Sequence, residues 1–250
     1  MSAPFDFSPV SDNTFLPFGE TPLRLGERGL SAQLDITPVF EDGLRLGDST
    51  LSSLYVNTSG VISASGVLFS ALPEFGREML VPFTRGPIVP DPAPQGVDNP
   101  GLFFTLDPVR DSVIFTWNQI VPEGGAVPHS FQAEIVDRGD GDAEVIFRYG
   151  DLPPGLFGYH FGLAGAQGDF IDLRGTEIGV DAGRLDTAPG NTGVAGVWQF
   201  RLDGGATVAA DLVAPAVGTP GNDTLFGSDG ADDDLAGLNG DAALYGGRGD

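Results

Sequence analysis

Ser130-Phe131-Gln132-Ala133-Glu134-Ile135-Val136-Asp137-Arg138-Gly139-Asp140-Gly141-Asp142-Ala143-Glu144-Val145-Ile146-Phe147-Arg148-Tyr149 alternates apolar and polar residues on both sides of a Gly/Asp cluster. Phe131, Ala133 and Ile135 fall on one face of the first run, and Val145, Phe147 and Tyr149 on one face of the second. A period of two marks β-strands, because successive side chains leave a strand on opposite sides. The cluster over 137–142 reads as a hairpin turn, since Gly and Asp tolerate the left-handed backbone that tight turns require. A calcium loop is the other reading of the same acids.

The alternation recurs outward from this centre. Val113, Phe115 and Trp117 share a face in 111–118, and Trp198, Phe200 and Leu202 share one in 197–203, opposite Gln199, Arg201 and Asp203. Nearer the N-terminus, Ser53-Leu54-Tyr55-Val56, Asn57-Thr58-Ser59-Gly60 and Val61-Ile62-Ser63 read as strand, turn, strand. Met79-Leu80-Val81-Pro82-Phe83 is a further apolar run before a Pro-rich loop over 87–100. No window carries a helical period. The 250 residues include 38 Gly and 20 Pro, which break helices, and 18 Phe, which suit sheets. These features predict an all-β protein with roughly ten or more strands arranged as an antiparallel β-sandwich. His129, just before a strand, is expected in a loop, and His160, between Tyr159 and Phe161, on a sheet face.

Charge and absences remove whole classes of function. Acidic residues number 35 against 12 basic ones, all of them Arg, for a net charge of −23. Such a polyanion repels phosphate backbones, so no nucleic-acid partner is expected, and metal cations are its natural partners. There is no Cys, hence no thiol nucleophile, disulfide or thiolate zinc site. There is no Lys, hence no Schiff-base chemistry and no Walker A loop. Neither HExxH nor GxSxG occurs. No run of about 18 apolar residues exists, so no membrane insertion is expected. The start, MSAPFDFSPVSDNTF, lacks the basic-then-apolar pattern of a secretory signal.

From residue 218 the texture changes. The chain stacks on its glycines as Gly218-Thr-Pro-Gly221-Asn-Asp223-Thr-Leu225-Phe226, then Gly227-Ser-Asp-Gly230-Ala-Asp232-Asp-Asp-Leu235-Ala236, then Gly237-Leu-Asn-Gly240-Asp241-Ala242-Ala-Leu244-Tyr245, and a fourth unit opens at Gly246. The period is about nine residues. Gly at the first and fourth positions permits backbone carbonyls to turn inward, and Asp at the sixth offers the hard anionic oxygen that Ca²⁺ prefers. The apolar residue two positions later forms a very short strand. The candidate Ca²⁺ positions are therefore Gly218, Gly221, Asp223, Gly227, Gly230, Asp232, Gly237, Gly240 and Asp241.

This array resembles the hemolysin-type calcium-binding (RTX) repeats, whose consensus is GGxGxDxUx. The resemblance implies a parallel β-roll with ions between the loops of alternate units, one with three and two with four. Ala242 stands where unit three should carry its Asp, with Asp241 adjacent, and unit four stops before its own. At most one weak or incomplete site is then expected, in what reads as the opening units of a longer array. The family also implies export by type I secretion without an N-terminal signal. Secretion fits the physics: packed aspartates repel at low cytosolic Ca²⁺, and ion binding outside supplies folding free energy. A second resemblance covers about 50–150. Leu54-Tyr55-Val56-Asn57-Thr58-Ser59-Gly60-Val61-Ile62-Ser63, Val113-Ile114-Phe115-Thr116-Trp117 followed by Ser130–Asp137, and Glu144-Val145-Ile146-Phe147-Arg148-Tyr149 are similar in order and spacing to a nidogen-like (NIDO) domain. That family implies an extracellular β domain of adhesion and matrix proteins, with no catalysis.

The expected organisation is an extended lead-in over 1–30, a nidogen-like β-sandwich over 31–205, a linker over 206–217 and the start of the β-roll over 218–250. The expected function is a secreted, Ca²⁺-binding, non-enzymatic adhesion or matrix protein whose partner is an extracellular glycan or protein surface. The alternative is a carbohydrate-binding or targeting module of a larger secreted enzyme.

Overall fold

The two runs around residues 138–142 form the centre of a six-stranded antiparallel sheet. The computed structural model describes residues 7–25, 30–66, 78–84, 101–121, 127–150, 152, 159–164, 169–175, 182–188, 190–212, 216–217, 224–226, 235–236 and 243–245. The central strands are β8 (Ser112–Ile120), β9 (His129–Asp137) and β10 (Ala143–Tyr149). Phe131 faces Tyr149, Ala133 faces Phe147 and Ile135 faces Val145 across the hairpin. β7 (Gly101–Asp107) closes one edge, and β13 (Val197–Asp203) with β14 (Ala206–Thr207) closes the other, in the order β14-β13-β10-β9-β8-β7.

A second antiparallel sheet faces it. It contains β1 (Leu34–Asp35), β4 (Ser53–Val56), β5 (Ile62–Ser63), β6 (Met79–Thr84), β11 (His160–Ala164) and β12 (Phe170–Asp172), in the order β1-β4-β5-β6-β11-β12. A small hairpin, β2 (Leu44–Leu46) and β3 (Ser49–Leu51), belongs to neither ladder, but its Leu44 and Leu46 enter the core and its Arg45 and Gly47 N–H groups donate to the Gly141 and Gly205 carbonyls. Helical structure among the described residues amounts to three short 3-10 turns, at Leu173–Gly175, Ala182–Arg184 and Ala209–Leu212. The protein is thus all-β, an antiparallel sandwich.

The predicted apolar faces meet in one core. Val113, Phe115, Trp117, Phe131, Ala133, Ile135, Val145, Phe147, Tyr149, Trp198, Phe200 and Leu202 pack there with Leu54, Val56, Ile62, Leu80, Phe83, Phe161 and Leu163 of the facing sheet. Tyr55 points away from it and is only half-buried. Trp117 stacks on Phe131 with ring centres 4.7 Å apart, and Phe83 stacks on Tyr159 at 4.5 Å.

Among the described residues, hydrogen bonds cross between the sheets. The Trp117 indole N–H donates to the Asn57 carbonyl at 2.8 Å, the Tyr149 hydroxyl to the Pro82 carbonyl at 2.5 Å, and the Thr207 hydroxyl to the Ala164 carbonyl at 2.7 Å. Burial pushes the Tyr149 phenol well above its ordinary pKa, so it stays a donor. Pro82 sits mid-strand, where it cannot donate to a neighbour. The β6–β11 pairing shifts register opposite it, between His160 and Gly162. Asn57 organises the turn beneath Trp117: its side-chain oxygen accepts the Val61 N–H at 3.1 Å and its carbonyl accepts the Gly60 N–H at 3.2 Å. Gly60 holds φ +88°, and a Cβ there would overlap the Phe83 carbonyl oxygen.

Two stretches read as accessory pack on the sandwich. Residues 7–18 lie along the outer face of the β10-centred sheet, without forming a strand. Residues 206–212, expected within the linker, supply β14 and a 3-10 turn, because Asp211 caps β13 by accepting the Arg201 N–H at 2.6 Å and pairing with its guanidinium at 2.9 Å.

Gly60→Ala is expected to lower stability in urea unfolding by more than Gly139→Ala. Both sites hold positive φ, which costs about 1–3 kcal/mol for a side chain, but nothing lies within 4 Å of a Cβ at Gly139. Equal losses would contradict the close approach of the Asn57 turn to β6.

Candidate functional site

In the glycine-rich array, all nine candidate positions, Gly218, Gly221, Asp223, Gly227, Gly230, Asp232, Gly237, Gly240 and Asp241, lie outside the described residues. What is described is the strand that closes each unit. β16 (Thr224–Phe226) ends unit one, β17 (Leu235–Ala236) unit two and β18 (Ala243–Tyr245) unit three, and β15 (Ala216–Val217) precedes the array. The strands pair in parallel and skip one: β15 with β17, and β16 with β18. Leu225 stands opposite Leu244, and Phe226 opposite Tyr245. The apolar position of unit one is thus in register with that of unit three. Among the described residues no group of three or more His, Asp or Glu is gathered to hold a metal.

The 138–142 segment is the β9–β10 turn. Gly139, Asp140 and Gly141 all hold positive φ. The acids serve the turn: Asp137 accepts the Gly139 N–H at 2.8 Å, and Asp142 accepts the Gly204 N–H at 2.8 Å. Burial raises the Asp137 pKa; the Gly139 N–H opposes this, and the charges of Asp111 and Glu41 add to it. The Arg-Gly-Asp tripeptide at 138–140 lies in this turn, and that at 248–250 lies outside the described residues.

Both histidines are placed. His129 is the first residue of β9, opposite Ile120 and 4% exposed, not in a loop. It is drawn in by aromatic neighbours: its ring meets Phe83 edge-on at 5.7 Å, and its Nε2 lies 3.4 Å from the Tyr159 hydroxyl. His160 opens β11, with Nδ1 2.8 Å from an Asp172 oxygen. Arg174 donates to the same carboxylate at 2.5 Å and 2.9 Å and also reaches His160. Burial opposes ionisation of Asp172, but the bonds from Arg174 and His160 outweigh it and hold its carboxyl below the ordinary range. Asp172 in turn raises the Arg174 pKa, against the effect of burial.

The larger concentration of polar groups is on the outer face of the β10-centred sheet. Period-two strands there imply a solvated face, yet Glu134, Glu144, Gln132 and Thr116 are fully buried and Arg148 is 5% exposed. Arg148 pairs with Glu134 at 2.8 Å, Arg110 reaches the same carboxylate at 3.1 Å, and Arg138 pairs with Glu144. The sequence carries one sign of this, the concentration of charged and amide side chains at the polar positions of adjacent strands. The segment over residues 7–18 covers Glu144 and Gln132, and its aperiodic sequence gives no hint of where it docks.

No family model, no curated protein and no solved structure matches the chain.

Because the Asp172 pKa is depressed in the fold, its ionic partners stabilise above the ordinary aspartate value of 3.8, and that contribution is lost as pH falls through the folded value. Asp172→Asn should lower Tm at neutral pH by an amount worth no more than about 1 kcal/mol, the pair being partly exposed. The difference from wild type should shrink below pH 3.8. A difference that is constant with pH would contradict the assignment.

Proposed function

We propose that the chain is a secreted calcium-binding protein of adhesion or matrix type, with no catalytic role, in which the glycine-rich array folds into a parallel β-roll on Ca²⁺ outside the cell. The observation that carries this reading is the agreement of two patterns of different kinds. The sequence repeats Gly and Asp at about nine residues. The backbone closes each unit with a short strand and pairs it in parallel with the strand two units away. A β-roll has that connectivity: successive strands alternate between two sheets, and alternate loops face one another. Facing Gly-rich loops with Asp at the sixth position would surround a hard cation with carboxylate and carbonyl oxygens, leaving the acids of the loops mutually repelling without it.

A binding role for the sandwich is consistent with how its central acids are used. Glu134 on β9 and Glu144 on β10, both buried, are each tied to an arginine, Arg148 and Arg138, an arrangement that fixes a scaffold. The partner we propose is an extracellular glycan or protein surface, and we place the chain outside the cell.

Calorimetric titration of Ca²⁺ into residues 1–250 should release heat, with a rise in β-structure by circular dichroism. The double variant Asp223→Ala, Asp232→Ala should lose both. Heat undiminished in the variant would move the site out of the array, and absence of heat in the wild-type chain would remove Ca²⁺ binding as its property.

A further inference from the structure

The outer face of the β10-centred sheet holds residues 7–18 in a particular way. Those residues form no strand; they are gripped by side chains of the face, largely through their main chain. Ser8 N–H donates to both oxygens of Glu144, at 3.0 and 3.1 Å, and the Ser8 carbonyl accepts the Gln199 side-chain N–H at 2.8 Å. The pattern repeats at Leu16, whose N–H donates to the Gln132 side-chain oxygen at 2.9 Å and whose carbonyl accepts from the Gln132 side-chain Nε2 at 3.0 Å. Between these two readings Val10 packs on Val136, Ile146 and Val197, and the Asn13 side chain donates to the Tyr149 carbonyl at 2.5 Å. Beyond them Phe18 rests on Phe103 at 4.9 Å.

Two features separate this arrangement from an ordinary packed layer. First, a face that is always covered gains little from ionised groups, because removing charges from water costs about as much as their pairing returns, and apolar residues serve better. This face carries Glu134, Glu144, Arg138 and Arg148. Uncovered, it would be soluble, with each acid already beside an arginine. Second, the covering segment is joined to neither ladder along its grip, so its departure would break no strand pairing. Amide-to-main-chain recognition at two points with an apolar socket between them is how an extended peptide is held.

We propose that this face is a groove for an extended peptide, occupied in cis by residues 7–18 and open to the same residues of a second copy. That segment is the one sequence whose fit is already demonstrated, and reciprocal exchange of arms between two copies makes the self-complementary contact of a two-fold dimer.

The test uses the full chain and a fluorescein-labelled synthetic peptide of residues 7–23. In cis the arm competes at high effective concentration, so wild-type chain should bind the peptide weakly. Val10→Asp in the chain weakens the competing arm while leaving the groove intact, and should tighten peptide binding at least roughly tenfold. Adding Gln132→Ala to that chain should reverse the gain. A peptide itself carrying Val10→Asp should bind neither. If the Val10→Asp chain lacks native near-ultraviolet dichroism, Val10→Ala takes its place. Sedimentation of the wild-type chain should show a concentration-dependent dimer that excess peptide returns to monomer. A folded, arm-weakened chain that binds no peptide would overturn the groove. A chain monomeric at every concentration, or a dimer indifferent to the peptide, would overturn its second occupant.

Discussion

The indole N–H of Trp117 reaches from one sheet to the Asn57 carbonyl beside the other, and much of the architecture depends on that contact. Apolar packing alone is non-directional and leaves two sheets free to adjust against each other. A hydrogen bond between buried groups does not, because breaking it leaves polar atoms unpaired where no water can reach them. For the carbonyl to be there, the chain must turn sharply at residues 57–60. Gly60 must then pass against the Phe83 carbonyl of β6, where only a glycine fits. The Tyr149–Pro82 and Thr207–Ala164 bonds fix two further points, so that the sheets are registered along their length.

A second constraint follows from the amide and charged groups that the central strands carry on their outer face. Gln132, Glu134, Glu144 and Arg148 are buried there, and each has a hydrogen-bonding partner. Part of that satisfaction comes from neighbouring arginines and part from the main chain of residues 8–16. The N-terminal segment therefore contributes as a set of backbone donors and acceptors delivered at the correct spacing, and its apolar residues fill the gaps between them.

Much of the sandwich was legible because its inner face obeys a strict period of two: every apolar residue so grouped in the central strands and in β13 enters the core. The legibility failed where a different force acted. β7 lies between Pro100 and Pro108, and its Leu-Phe-Phe run gives no clean alternation. His129 stands just before the alternating run and was expected in a loop; Phe83 of β6 and Tyr159 pack against its ring within the strand. Residues 206–212 have the composition of a linker, and strand pairing of Ala206–Thr207 with β13, together with the Asp211 carboxylate, ties them to it. The buried outer face was not readable because alternation reports which residues share a face, not what covers it. In the glycine-rich array the spacing foretold a short strand in each unit, and the pairing of β16 with β18 joins unit one to unit three, as expected for alternate units.

The proposed calcium-dependent roll and the sandwich differ in what would hold them. The sandwich has a continuous apolar core and inter-sheet hydrogen bonds. The array has strands of two or three residues and a high density of acids, and on the proposal above a cation is what makes it fold. Amide hydrogen exchange of the full chain, with and without Ca²⁺, separates the two most directly. The account predicts that Ca²⁺ slows exchange across 216–245 and leaves β7 to β10 and β13 unchanged. Protection of the array that is the same with and without Ca²⁺, or a gain confined to the sandwich, would contradict it.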